Sequence, residues 1–346
     1  MPIHVLQLGP YPPPEGGVTR NILAIRDRLR ERGDRCSVIA TSRSSKAADE
    51  PDVFHPRSAA ALVSLIRNTP HDVLHLHIGG DITKRVLGLC LGAAAFGKHP
   101  VLTVHSGGYA SSAEARDAGP GSARARIFRR FSQVVVVNKE LENVFIRSGV
   151  PDDRVHVIAP FALSPPDPSI PVPERLRNFA EQHSPFLLSV GGLEPEYDPV
   201  FLVEMMKDLL AEYPGAGLML VGGGSMREQV THAVEESGTA PSVCLAGDVP
   251  HAETLHLIAR ADAMMRITLF DGDAISVREA LFMGTPVVAT QNGMRPEGVN
   301  CVDPGDRSAC VRVLRALLSQ PRERPRLLNP DHRNIDEILS LYDSLV

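Results

Sequence analysis

The 346-residue sequence predicts an α/β chain made of two doubly wound, parallel-sheet domains. Short apolar, β-branched runs alternate with amphipathic stretches, the pattern of strands separated by helices. A proline-rich connector, Ser164-Pro165-Pro166-Asp167-Pro168-Ser169-Ile170-Pro171-Val172-Pro173, interrupts that alternation, which then restarts. Proline fixes φ and lacks an amide proton, so this stretch suits neither a helix interior nor a central strand.

The elements follow in order. His4–Leu8 reads as a strand. Val18–Arg32 reads as a helix, with Val18, Ile22, Ile25 and Leu29 on one face. Cys36–Ala40 is a strand, Ala59–Arg67 a helix, Val73–His77 a strand and Ile82–Phe96 a helix. Val101–His105, Val134–Asn138 and Val155–Ile158 complete the strands of the first domain, residues 1–165. In the second, residues 166–332, the strands are Phe186–Val190, Leu218–Val221, Val243–Leu245, Ala263–Ile267 and Pro286–Ala289. Helices come between them, one beginning near His251 and one over Ser276–Phe282. Ile335–Leu345 repeats its apolar residues at helical spacing and reads as an amphipathic helix.

Composition bounds the function. The chain is 43% hydrophobic and 22% charged, which suits globular domains of ordinary size. Cys36, Cys90, Cys244, Cys301 and Cys310 have neither metal-ligand nor disulfide-like spacing, and most of them read as buried thiols in a reducing compartment. Met1–Pro10 lacks the charged and apolar regions of a signal peptide, and Val86–Gly97 is too short to span a bilayer. A cytoplasmic protein follows, with peripheral contact to the inner membrane face left open. Residues 1–165 hold 21 Lys and Arg against 15 Asp and Glu, a net +6, whereas the remainder nets −11. Either the first half meets an anionic acceptor or membrane surface, or the charges are ordinary scatter. The basic stretch Ala123–Phe131 has the same two readings, a lipid contact or a solvated helix face. No nucleic-acid partner is expected.

The densest chemistry lies in Phe270-Asp271-Gly272-Asp273-Ala274-Ile275-Ser276-Val277-Arg278-Glu279-Ala280-Leu281. Asp271 falls in the loop before a helix and Glu279 about one turn inside it. First-turn amides at Ala274, Ile275 and Ser276 are unpaired and carry partial positive charge, which suits a phosphate or sugar hydroxyls. Carboxylates at the two edges accept hydrogen bonds from hydroxyls. The combination points to a nucleotide-sugar.

This segment resembles the E-x7-E motif of the retaining glycosyltransferases of family 4, which have the GT-B fold, with Asp271 standing where glutamate is usual. Weaker marks follow in the family's order: Gly16-Gly17-Val18, Val104-His105-Ser106-Gly107-Gly108, Ser189-Val190-Gly191-Gly192-Leu193, Val221-Gly222-Gly223-Gly224, Leu245-Ala246-Gly247-Asp248-Val249 and Arg295-Pro296-Glu297-Gly298. The resemblance implies that Glu279 holds the ribose hydroxyls and that Asp271 contacts the donor sugar; Asp273, at a position often aromatic in the family, is counted with the donor-binding residues. It implies that Gly16 and Gly17 lie under the donor phosphates and that Gly247 and Val249 offer backbone to the base. His105 is then a contact to the donor sugar at the reacting centre, and not a nucleophile. Tyr109 and Arg20 join Gly17 on the acceptor side. The final helix, residues 333–346, is expected to cross back to the first domain.

Plainer readings stand beside these. The Gly16-Gly17 loop also suits a turn without ligand, His105 a structural histidine and Glu279 an exposed helical glutamate. His75 and His77 face one side of a strand, where structure or acceptor contact is preferred to metal binding because no third ligand is evident. The largest departure from the family is at Gly192 and Tyr197, where arginine and lysine usually neutralise the leaving diphosphate. Arg266, Arg278 and Arg295 are the candidates to replace them, and Gly191 and Gly192 remain in the donor loop.

The resemblance thus implies a metal-independent, retaining hexosyltransferase that moves a sugar from a nucleoside-diphosphate donor, UDP first among them, to a hydroxyl acceptor. The nucleotide-sugar is a co-substrate and no cofactor is required. The expected product is a cell-envelope polysaccharide, a glycolipid or a glycosylated natural product. Two alternatives remain: a nucleotide-binding relative without turnover, and a nucleotide-sugar epimerase of the same fold. A dehydrogenase is disfavoured, because neither half carries G-x-G-x-x-G with its later acidic residue.

Overall fold

Two parallel sheets organise the chain. The computed structural model describes residues 2–11, 16–42, 50–269, 274–291, 295–320 and 329–346. The described residues divide into two compact units, one of residues 1–162 with 331–346 and one of residues 163–330.

The first unit holds β1 (His4–Gly9), β2 (Arg35–Ala40), β3 (Val53–Phe54), β4 (Val73–Ile78), β5 (Val101–Val104), β6 (Gln133–Val136) and β7 (Val155–Val157), in spatial order β3-β2-β1-β4-β5-β6-β7. Its helices are α1 (Gly17–Glu31), α2 (Ala59–Asn68), α3 (Lys84–Phe96), α4 (Ala113–Arg116), α5 (Ala123–Phe128) and α6 (Lys139–Arg147). The second unit holds β8 (Phe186–Val190), β9 (Gly217–Val221), β10 (Val243–Gly247), β11 (Ala263–Arg266), β12 (Val287–Thr290) and β13 (Val299–Val302), in order β10-β9-β8-β11-β12-β13. Between its strands run α7 (Glu174–Gln182), α8 (Pro199–Leu210), α9 (Arg227–Ser237), α10 (His251–Arg260), α11 (Ile275–Phe282) and α12 (Arg307–Leu318). The last helix, α13 (Arg333–Asp343), belongs to the first unit. Among the described residues no helix is long and apolar enough to cross a membrane.

The strands read as apolar runs because both sheet faces are covered. In the first unit Leu6, Leu8, Leu74, Leu76 and Leu102 point to one core, and Val5, Val73, Val101 and Val135 to the other. The second core is closed by α13, whose Ile335, Ile338, Leu339 and Tyr342 pack with Ile25 and Leu29 of α1. Two ion pairs pin its rim: Arg28 with Asp336 at 2.7 Å and Arg32 with Asp343 at 2.7 Å. Side-chain oxygens of Ser58, Thr83, Ser122, Asn138 and Asp306 accept from first-turn amides and fix where their helices begin. α1 and α11 start differently, with Gly16 and Ala274 at the cap and no side-chain acceptor.

In each sheet the strand order reverses at one place. β1 lies between β2 and β4, and β8 between β9 and β11. The connections after the two neighbouring strands leave toward opposite faces there, which opens a crevice at the carboxyl ends. In the second unit that places the segment after Val190 beside the segment after Arg266.

Among the described residues, three side chains of the first unit, Asn21, Tyr109 and Asn138, bury a polar atom without a hydrogen-bond partner. Asn21 on α1 is 1% exposed, and neither amide atom has a hydrogen-bond partner. A buried unpaired polar group costs about 1–3 kcal/mol. Asn21→Leu, nearly isosteric, is expected to stabilise the protein by about 1–2 kcal/mol, read as a higher denaturant midpoint. An unchanged or lower midpoint would show that the amide is satisfied in the folded protein.

Candidate functional site

At the crevice of the second unit the segments after β8 and β9 zip together. Gly191 N donates to the Val221 carbonyl at 2.9 Å, Leu193 N to Gly223 at 2.8 Å and Met226 N to Leu193 at 2.9 Å. Gly222 sits at φ +132°, and a Cβ there would fall 2.1 Å from the Gly191 carbonyl oxygen. The glycines of this patch therefore let two backbones meet. Glu194 accepts from the Ser225 amide at 2.9 Å and from its hydroxyl, and Asp248 Oδ1 accepts from Gly223 N at 2.9 Å. Gly222 N donates to the Gly247 carbonyl, joining the third segment to the other two.

Arg266 ends β11 and is buried in this crevice. Its Nη1 donates to the Val190 carbonyl at 2.6 Å, and its Cζ lies 4.8 Å from the centre of the Tyr197 ring. A cation at that distance from an aromatic face is held electrostatically. A Cβ on Gly191 would fall 2.8 Å from the same Nη1, so the glycine makes room for the guanidinium. Arg295 lies across the ends of β11 and β12. Its Nε donates to the Thr290 carbonyl at 2.9 Å and its Nη2 to Thr268 Oγ1 at 2.8 Å. Gly191, Gly192, Tyr197 and Arg266 line one small pocket.

Glu279 is 4% exposed on α11. Its Oε1 lies 2.6 Å from His251 Nε2, and His251 opens α10 two residues beyond Val249. A buried carboxylate is thereby held at the Gly247-Asp248-Val249 turn. His251 was marked in the sequence only as a helix start, and its place right after that turn was the available signal. Ala274 caps α11, Ile275 and Ser276 form its uncapped first turn, and Arg278 is half-buried beside Glu279. Asp271 and Asp273 lie outside the described residues.

The first unit holds the other predicted positions. Gly16 and Gly17 open α1 and are exposed, and Arg20 is half-buried on its first turn. His105 follows β5 and is half-buried, with its Nε2 3.2 Å from His77 Nδ1. Burial holds its basicity down, to about 3. His75 is lowered to about 3 by burial as well, between the hydroxyls of Tyr342 and Thr103. Among the described residues no group of three or more His, Cys, Asp or Glu is arranged to hold a metal ion. Tyr109, read from its loop position as an acceptor-side group, is 1% exposed and packs in the core with Phe128 and Phe131. Its ring is spent on anchoring the loop. In α5, Ala125 and Phe128 are buried and Arg124 donates to the Ile82 carbonyl at 2.6 Å, while Arg126 and Arg130 are exposed.

Comparison with known proteins finds one glycosyltransferase family model in each half of the chain. Residues 15–162 match the Glycosyltransferase Family 4 model, and residues 174–329 match the model of Glycosyl transferases group 1. A 2-deoxystreptamine glucosyltransferase of Streptomyces kanamyceticus is 24% identical over 284 residues, 76% of this chain and 73% of that one. Glycogen synthase of Mycobacterium tuberculosis is 26% identical over 147 residues, 40% of this chain, which spans about a third (35%) of that relative. Among solved structures, Anabaena HepE in complex with UDP superimposes with a TM-score of 0.66 at 17% identity, over 99% of this chain and 97% of that one. That likeness fixes the fold.

Proposed function

We propose that the chain, whose two halves match glycosyltransferase family models and which has the GT-B fold, transfers a sugar from a nucleoside-diphosphate donor to a hydroxyl acceptor with retention at the anomeric carbon. The observation that carries this reading is the buried Glu279 carboxylate, held by His251 at the turn that follows β10. A desolvated carboxylate is a strong acceptor for two neighbouring ribose hydroxyls. Gly247 and Val249 offer backbone groups to the base.

The reaction expels a nucleoside diphosphate, so negative charge grows on the leaving group. Arg266 at the β8–β11 crevice, with Arg295 and Arg278 nearby, supplies the positive charge that Gly192 and Tyr197 do not. The bond from the anomeric carbon to the diphosphate oxygen breaks, and the acceptor oxygen bonds that carbon on the same face. The acceptor proton passes to the leaving diphosphate. No enzyme nucleophile takes part. His105 contacts the donor sugar, with Gly16 and Gly17 beneath the phosphates and Arg20 on the acceptor side. Asp271 and Asp273 accept from donor-sugar hydroxyls. UDP is the first choice of nucleotide, in line with the ligand of the Anabaena relative. The acceptor belongs to cell-envelope polysaccharide, glycolipid or natural-product synthesis.

A second reading, a nucleotide-binding relative without turnover, is favoured by one observation: neither Gly192 nor Tyr197 can neutralise phosphate. Calorimetric titration of UDP, GDP, dTDP and ADP onto the wild-type protein, with Mg²⁺ and with chelator, tests the site. Micromolar binding of UDP, about −8 kcal/mol and indifferent to Mg²⁺, is the expected result. Heat from none of the four nucleotides would sink the donor-site reading. Release of free UDP from a bound UDP-sugar separates turnover from binding alone.

A further inference from the structure

A line of buried polar side chains runs through the first unit to His105, and its hydrogen bonds have only one consistent direction. Gln7 on β1 places its amide nitrogen 2.9 Å from the Ile22 carbonyl oxygen. That oxygen can only accept, so the nitrogen must face it and the amide oxygen must face the other way. The Gln7 oxygen lies 3.1 Å from His77 Nε2. It too can only accept, so the proton of His77 sits on Nε2. His77 is wholly enclosed, and burial pushes its basicity well below the ordinary range, so the ring carries that single proton. Its Nδ1 is then a bare lone pair, 3.2 Å from His105 Nε2, which must donate. A neutral His105 with its proton on Nε2 has nothing on Nδ1.

We propose that Gln7 and His77 are positioning residues that lock His105 in its Nε2–H tautomer, so that Nδ1 stands at the carboxyl end of β5 as an acceptor for a hydroxyl. The assignment rests on the reading of His105 as a substrate contact and sharpens it. A bare imidazole nitrogen takes a hydrogen bond from a sugar or acceptor hydroxyl and offers none to a phosphate oxygen. His105 thus selects a hydroxyl and adds no charge to the leaving group. The resemblance supplied a histidine at this place. The direction of its hydrogen bond comes from Gln7, some 100 residues earlier in the chain.

The tautomer is measurable in the free protein. In ¹⁵N-histidine-labelled wild type at neutral pH, with signals assigned by their loss in His105→Gln, His105 is expected as the Nε2–H form alone. A through-hydrogen-bond ¹⁵N–¹⁵N coupling to His77 Nδ1 is expected beside it. Gln7→Leu, checked for folding by circular dichroism, is expected to lose the single-tautomer pattern, because either direction along the pair then becomes available. An Nδ1–H signal from wild-type His105, or no coupling to His77, overturns the lock whether or not the variant folds. A folded Gln7→Leu protein with an unchanged His105 pattern overturns the role of Gln7. Because no ligand is present, these results are independent of the nucleotide titration, whose failure would sink the donor site and leave the tautomer standing.

Discussion

Glu279→Ala is expected to weaken UDP binding by about 100- to 1000-fold, or about 3–4 kcal/mol. Hydrogen bonds to a charged group are worth about 1.5–3 kcal/mol each, and two ribose hydroxyls would lose theirs together. The buried setting raises the stake, since the carboxylate is 4% exposed and already oriented by His251. Glu279→Gln keeps the shape and one acceptor oxygen, so an intermediate loss is expected. A melting curve on each variant separates lost binding from lost fold, because removing a buried side chain also leaves His251 without its partner. A dissociation constant for Glu279→Ala within threefold of wild type would take this residue out of the ribose site.

Arg266→Met is expected to lower kcat by about 10²- to 10³-fold with a smaller change in KM. Removing one donor that meets developing charge typically costs about 3–4 kcal/mol. The position matters because Gly192 and Tyr197 leave the crevice without the cations usual there, and Arg266 is seated against both the Val190 carbonyl and the Tyr197 ring. Methionine preserves the length and much of the contact with that ring. Arg266→Lys keeps the charge and loses the planar fork, so partial activity is expected. The measurement is UDP release under saturating donor. An unchanged kcat would move the phosphate contact to Arg295 or Arg278.

Much of the architecture was legible because burial on both sheet faces makes strands visible as apolar runs. β8, Phe186–Val190, stands where the sequence places it. β13 was missed because Val299-Asn300-Cys301-Val302 is a partly exposed edge with a polar residue inside it. β3 escaped because two residues carry no period. In the site, the motif marked Glu279 but neither its burial nor its contact with His251, 28 residues earlier. Arg266 was visible as a nearby cation, whereas its seat depends on a carbonyl and a ring from elsewhere in the chain. Tyr109 was legible as a residue of the loop after β5, whereas its burial depends on tertiary packing that sends its ring inward. Direction along the Gln7–His77–His105 line was beyond any linear motif, since it depends on three strands lying side by side.

The placement of α13 has a consequence for how the protein is made. The first unit is closed by residues 331–346, yet the continuous second unit lies between them and the rest. During translation, Val5, Ile25, Leu29 and Val73 therefore wait beneath an absent helix while roughly 170 further residues emerge, a delay of roughly 8–35 s at about 5–20 residues per second. The second unit can finish folding first, although it is synthesised second. For that interval a strip of bare apolar surface on the nascent chain is what a ribosome-bound chaperone would meet.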